Sequence, residues 1–169
     1  ALSTDALAAM TDAQLQAMTS QQIGALKTAQ IQAMTSDQVA ALSLDQVALV
    51  KTADLAALTT TSIANLSTAQ VAKLSTAQIQ ALTTAQAAAL TSAQLAELTT
   101  AQLSNMETAD FASLSTDVIG ALSTSQIGAL SSSQMAKMTS DQLQALTTQQ
   151  LGAFKAAQFN AIDSTLIST

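Results

Sequence analysis

The chain has 169 residues, eleven acidic side chains against five lysines, and a formal net charge of −6. It contains no Cys, His, Trp, Tyr, Pro or Arg. That composition excludes disulfide and thiol chemistry, and it provides no basic patch with which to displace counterions from nucleic-acid phosphates. Hydrophobic residues make up 49%, too many for a chain disordered for want of apolar material.

From Leu2 to Thr169 the sequence is one eight-residue sentence, repeated without insertion or deletion over 21 octads (21 × 8 = 168). A large apolar residue stands first, as at Leu2, Met10, Val50, Leu98 and Phe154. Ser or Thr follows at the second and third positions. Gln usually holds the fifth, an aliphatic residue the sixth, and mostly small residues the seventh and eighth. Unbroken self-similarity at a fixed period is the mark of a repeat architecture, so residues 1–169 read as a single solenoid.

The first octad, Leu2–Ala9, has Ala6 where Gln belongs. Octads from Met10 to Ala41 are regular, apart from Lys27 at the second position. The stretch from Leu42 to Ala57 is looser: Leu44 replaces a hydroxyl residue, Leu49 a small one, and Lys51 and Asp54 stand for Ser/Thr and Gln. Thr59 is followed by Ser62 in place of Gln. The region from Leu66 to Asn105 is the most regular, and octads from Met106 to Ala121 depart again through Glu107, Asp110, Phe111 and Val118. Octads from Leu122 to Ala153 return to pattern. The last two change character, with Phe154, Lys155, Phe159, Ile162, Asp163 and Leu166.

Each octad carries a complete helix start. Ser75 suits an N-cap whose hydroxyl accepts from the Gln78 N–H, while the Gln78 side chain reaches back to the Ser75 N–H, a capping box. Leu74 and Ile79 then form its hydrophobic staple. The same reading makes caps of Ser67 with Gln70, Thr83 with Gln86, and Thr91 with Gln94. A start signal every eight residues predicts a new helix of roughly six residues in each octad, under two turns at about 3.6 residues per turn. Helices this short do not hold in water alone. The expected fold is therefore all-α: a tight α-solenoid of 21 capped helices, with about three or four octads per superhelical turn. Ile79 and Leu82 should face inward, and the Ala77–Ala81 face should admit neighbouring backbone.

Two other readings compete. In a continuous helix, eight residues advance roughly 800° and leave about 80° of drift per octad, so the apolar positions would wind around the rod without a stripe. A β-solenoid suits short repeats and Thr columns, but the richness in Ala and Gln argues against strands.

Chemistry is sparse. General acid–base work needs a tunable group beside the reacting atom, and the lysines at positions 27, 51, 73, 137 and 155 all read as solvated surface. The Met residues occupy first and sixth positions, where they replace core aliphatics, so they do not read as haem ligands. Asp5, Asp37, Asp45, Asp117 and Asp141 share the fourth position, where a carboxylate suits a helix start; no EF-hand loop accompanies them. The expectation is no enzyme, no cofactor and no metal. No apolar run is long enough to span a membrane as a helix. The one feature with a candidate surface role is the third-position ladder Thr68, Thr76, Thr84, Ser92 and Thr100, which capping does not use.

The string ALTTAQ at Ala81–Gln86, with LSTAQ at Leu66 and Leu74, LTSAQ at Leu90 and LTTAQ at Leu98, resembles the octapeptide arrays of very large bacterial surface or secreted adhesin-like proteins. Some of those proteins are labelled as adhesion or haem-utilisation proteins. The resemblance covers the whole chain and implies a bacterial, extracellular, stalk-like or matrix-like module, a segment of a longer array. Its implied partners are flanking repeats of the same chain or further copies. A binding module that uses hydroxyl ladders to hold ice, carbohydrate or another surface is the alternative.

Overall fold

The computed structural model describes residues 2–162. Over them the chain forms twenty helices of four to six residues, one per octad. The first ten are α1 Thr4–Ala8, α2 Asp12–Gln16, α3 Ser20–Gly24, α4 Thr28–Gln32, α5 Ser36–Ala40, α6 Leu44–Ala48, α7 Thr52–Ala56, α8 Thr60–Ala64, α9 Thr68–Lys73 and α10 Thr76–Gln80. They are followed by α11 Thr84–Ala88, α12 Ser92–Ala96, α13 Thr100–Ser104, α14 Thr108–Ala112, α15 Thr116–Gly120, α16 Thr124–Ala129, α17 Ser132–Met135, α18 Ser140–Gln144, α19 Thr148–Leu151 and α20 Ala156–Phe159. Among the described residues there is no strand and no continuous rod, so both competing readings are set aside. The twenty-first helix expected from the sequence, with Asp163 and Leu166, falls outside the described residues.

The chain turns without proline or a left-handed glycine, and at the end of α9 two consecutive extended residues suffice. Leu74 at φ −59°, ψ 139° closes α9, and Ser75 at φ −70°, ψ 160° opens α10. The Leu74 N–H still bonds to the Val71 carbonyl at 3.1 Å, which tightens the last turn. No described residue has a positive φ, so ordinary L-residues can occupy every turn.

Each helix packs against the one three places later, from α1 on α4 through to α17 on α20. This coils the chain with its sixth-position side chains at the centre. Leu7, Ile79, Leu95, Phe111 and Ile127 are fully buried, and the first-position leucines close over them. The bore is filled: around Ile31, Val39 and Val47 it leaves a void of about 10 Å³, at the lower limit for one water, and its lining is apolar.

Close approach between turns falls at the seventh position, and not on the Ala77–Ala81 face as expected; Ala77 is exposed. A Cβ on Gly120 would stand 3.2 Å from the Ala145 carbonyl oxygen, and one on Gly24 would stand 3.3 Å from that of Leu49. Both contacts reach the end of the helix three places later. Small residues therefore recur there. A flexible amide is the other solution: Gln16 turns its Nε2 onto the Ala41 carbonyl, at the corresponding place, at 2.9 Å. No described helix is long and apolar enough to cross a membrane.

Candidate functional site

The residues that organise the molecule are the fifth-position glutamines. In the regular region each has one side-chain amide doing two jobs. At Gln94 the Oε1 accepts from the Thr91 N–H at 2.8 Å, and the Thr91 hydroxyl accepts from the Gln94 N–H at 3.2 Å. The Nε2 then donates across the superhelical turn to the carbonyls of Ile63 at 3.0 Å, Ala64 at 3.2 Å and Leu66 at 2.7 Å. Those carbonyls end one helix and begin the next connection, where helical partners run out. Gln94 is only 2% exposed, so its amide dipole acts away from water, where a satisfied bond counts most.

The pattern repeats at a fixed register. Gln70 bonds to Leu42, Gln78 to Val50, Gln86 to Leu58, Gln102 to Leu74 and Gln126 to Leu98, each 28 residues back. Helix stacking repeats every three octads, while these amide bonds reach back three and a half (28 ÷ 8). One superhelical turn thus takes between three and four octads. The cap residues Ser67, Ser75, Thr83 and Thr91 all accept from the N–H of the glutamine three residues on.

Where glutamine is replaced, the bond to the earlier turn is supplied by another residue, changed or lost, and at Asp110 one carboxylate oxygen is buried without a partner. At Asp54 no amide can reach the Leu26 carbonyl, and Lys51 Nζ donates there at 3.3 Å. Lys51, read from sequence as solvated surface, is thus a substitute rung. Asp54 itself accepts from the Thr28 hydroxyl at 2.6 Å, and Asp110 likewise from Thr84 at 2.7 Å. Ser62 pairs with the Ser36 hydroxyl at 3.2 Å and with Thr59 at 2.9 Å. Val118 has no polar group and is buried. A missing cap is repaired too. Lys27 has no side-chain oxygen to accept from N3, and the Gln30 N–H bonds instead to the Lys27 carbonyl at 2.8 Å.

The third-position hydroxyls do not form one ladder in the order the sequence suggests, because successive octads point in different directions. Thr76 and Thr100 lie on the stacked pair α10 and α13, and Thr68 and Ser92 on α9 and α12. Thr84 lies on α11 and gives its hydroxyl to Asp110. The three-octad stacking instead aligns Thr28, Thr52, Thr76, Thr100, Thr124 and Thr148, all exposed, on α4, α7, α10, α13, α16 and α19. Among the described residues no three His, Cys, Asp or Glu side chains come together.

Replacing Ser67, Ser75, Thr83 and Thr91 together by Ala should lower the thermal midpoint strongly, since each cap is worth roughly 0.5–2 kcal/mol. The matched change at Thr68, Thr76 and Ser92 should cost less. Equal losses in the two melting curves would refute the division of labour between the two hydroxyl columns.

Sequence reasoning took glutamine as half of a capping box and missed its bridge. The signal was present: fifteen octads carry Gln at the fifth position and none carries Glu. A capping box accepts either residue, but only the amide also donates. A family model described as the ALTTAQ repeat matches residues 1–28, 23–52, 51–84, 72–100 and 103–140. No curated protein and no solved structure matches the chain.

Proposed function

The chain belongs to the ALTTAQ repeat family, and from that premise we propose that it works as a structural repeat module. Its role is that of a spacer, stalk or self-associating scaffold within a large bacterial surface or extracellular protein. The observation that carries this reading is the glutamine ladder. The chain's recurrent polar side chain is spent on joining one turn to the next, as with Gln86 on Leu55 and Leu58 at 2.9 and 2.8 Å. A chain whose repeated polar group is buried for mechanical continuity has length and stiffness as its product. We propose no catalysis and no affinity for haem or nucleic acid: the chain has no His or Arg, and the second-position hydroxyls serve as caps.

Stability should rise with octad number, because interior units have neighbours on both sides and end units on one. Chains of about 10, 20 and 40 octads, compared by thermal melting, should show rising midpoints. A midpoint independent of length would refute the stacked scaffold. A second reading, as a module that holds ice, carbohydrate or another surface, is favoured by the exposed threonine column on α4, α7, α10, α13, α16 and α19. Retention of the chain on ice or polysaccharide separates that reading from the scaffold.

A further inference from the structure

Two octads carry aspartate at the fifth position, and they differ in one charge three residues earlier. The chain reads Lys51, Thr52, Ala53, Asp54 in the first and Glu107, Thr108, Ala109, Asp110 in the second. Both aspartates are buried, at 4% and 3% exposure. Each has one oxygen held by a hydroxyl of the earlier turn, from Thr28 at 2.6 Å and from Thr84 at 2.7 Å. In the first octad the lysine stands in for the glutamine amide. Its Nζ donates to the Leu26 carbonyl, 28 residues before Asp54, at 3.3 Å. In the second octad an acid holds the lysine's position.

At Asp110 the result is a group of oxygens that all accept. Its Oδ2 is buried and has no hydrogen-bond partner among the described residues. The register assigns this rung the carbonyls of Gln80 and Leu82 (110 − 30 and 110 − 28), as Gln94 takes those of Ala64 and Leu66. The Leu82 carbonyl accepts no bond among the described residues. Thr84 holds Oδ1 from the earlier turn, so the carboxylate is fixed facing that turn. An unpaired carbonyl alone is no site, since Val118 leaves that of Leu90 in the same condition. Here a buried carboxylate oxygen faces the carbonyl's turn, and acceptors brought together away from water need a donor or a cation between them.

We propose that this rung binds one divalent cation of the calcium class, held by Asp110, Glu107 and the carbonyls of Gln80 and Leu82. The ion takes the place that the Lys51 ammonium holds in the other octad. Glu107 is exposed, as Lys51 is, so its carboxylate is free to turn towards the carbonyls. Its side chain is shorter than lysine by one bond, and a calcium–oxygen distance of about 2.3–2.6 Å spans the remainder. Two carboxylates balance the divalent charge. Carboxylate and carbonyl oxygens are the donors calcium takes, and water completes its roughly six to eight ligands. No sulfur or imidazole is present to favour a transition metal. The bound ion joins the start of α14 to the chain just after α10, so one contact between turns depends on the cation.

Thermal melting followed by circular dichroism, in calcium chloride and in chelator at matched ionic strength, tests the site, and titration calorimetry gives the stoichiometry. With a dissociation constant of about 0.1–1 mM, calcium at about 10 mM should raise the wild-type midpoint by about 3–10 °C. Calorimetry should show one calcium per chain. Magnesium, which demands a tighter octahedron, should raise the midpoint less. Glu107→Lys rebuilds the Lys51 arrangement and supplies the positive charge covalently, so its midpoint should be the same with and without calcium. Asp110→Asn removes the buried carboxylate and should also abolish the response. A wild type whose midpoint ignores calcium would overturn the proposal. So would an equal calcium response in wild type and Asp110→Asn, which would assign the effect to the other acidic side chains of a chain with net charge −6. Neither result bears on the scaffold reading, which the octad-number series decides.

Discussion

Gln94→Glu will destabilise the solenoid by about 3 kcal/mol or more at neutral pH, although the two side chains are nearly the same shape. Glu keeps the oxygen that accepts from Thr91 and would serve a capping box equally well. It loses the donor to Ile63, Ala64 and Leu66 and puts a negative charge against three carbonyl oxygens in a buried site. Burial and those oxygens favour the neutral acid, so the folded-state pKa of the new carboxyl rises above its unfolded value of about 4.3. The penalty is therefore small below the unfolded value, where the protonated acid donates in the folded state. It grows as pH rises towards the folded value and then levels off. Urea denaturation of the variant at about pH 3.5 and pH 7, each against wild type, measures this. Equal losses at both pH values would show that shape and not donation is what the fifth position supplies. Gln14→Glu, at an exposed position that bonds no earlier turn, should change stability little.

The second large effect belongs to a pair of core residues. Ala87 is the one sixth position among the described octads reduced to a methyl, and Phe111, three octads on, is the first aromatic one. They sit on the stacked helices α11 and α14, and neither is exposed. The largest buried sixth-position side chain thus lies on the helix stacked against the one with the smallest. Phe111→Ala should cost about 3–5 kcal/mol, because it leaves two adjacent small residues and a cavity. Ala87→Phe alone should overpack the bore and cost roughly 1–3 kcal/mol. The exchange of both, which conserves volume, should cost clearly less than the sum of the two single changes in a double-mutant cycle from denaturant midpoints. Strict additivity would mean that the two side chains do not share a space.

The local half of this structure was legible in the sequence because its causes are local. Ser75 three residues before Gln78, with Leu74 ahead and Ile79 behind, specifies where a helix begins whatever surrounds it. The absence of a steady stripe at eight-residue spacing argues against one long helix, and the described chain has none. What joins one superhelical turn to the next was not legible, because a repeat has the same residues at every multiple of eight and gives no preference for one register. Only the exclusion of Glu from the fifth position carried that information. The roles of Lys51 and Thr84 were hidden for the same reason. Lys51 replaces the missing rung onto Leu26 and Thr84 donates to Asp110, partners 25 and 26 residues away.

The fifth-position glutamine bonds between turns run backwards, from an amide to a carbonyl earlier in the chain, and their span does not grow. The reach at Gln158 is 28 residues to Leu130 and 31 to Ile127, the same as at Gln46 near the other end, which reaches Met18 and Leu15. As a chain is synthesised from its N-terminus, each emerging octad meets an acceptor already in place. The loop it must close costs the same entropy at the hundredth octad as at the fifth. Contacts of fixed sequence separation also make relative contact order fall as the array lengthens. Such a chain assembles like a zip fastener, and its length is not limited by the difficulty of finding distant partners.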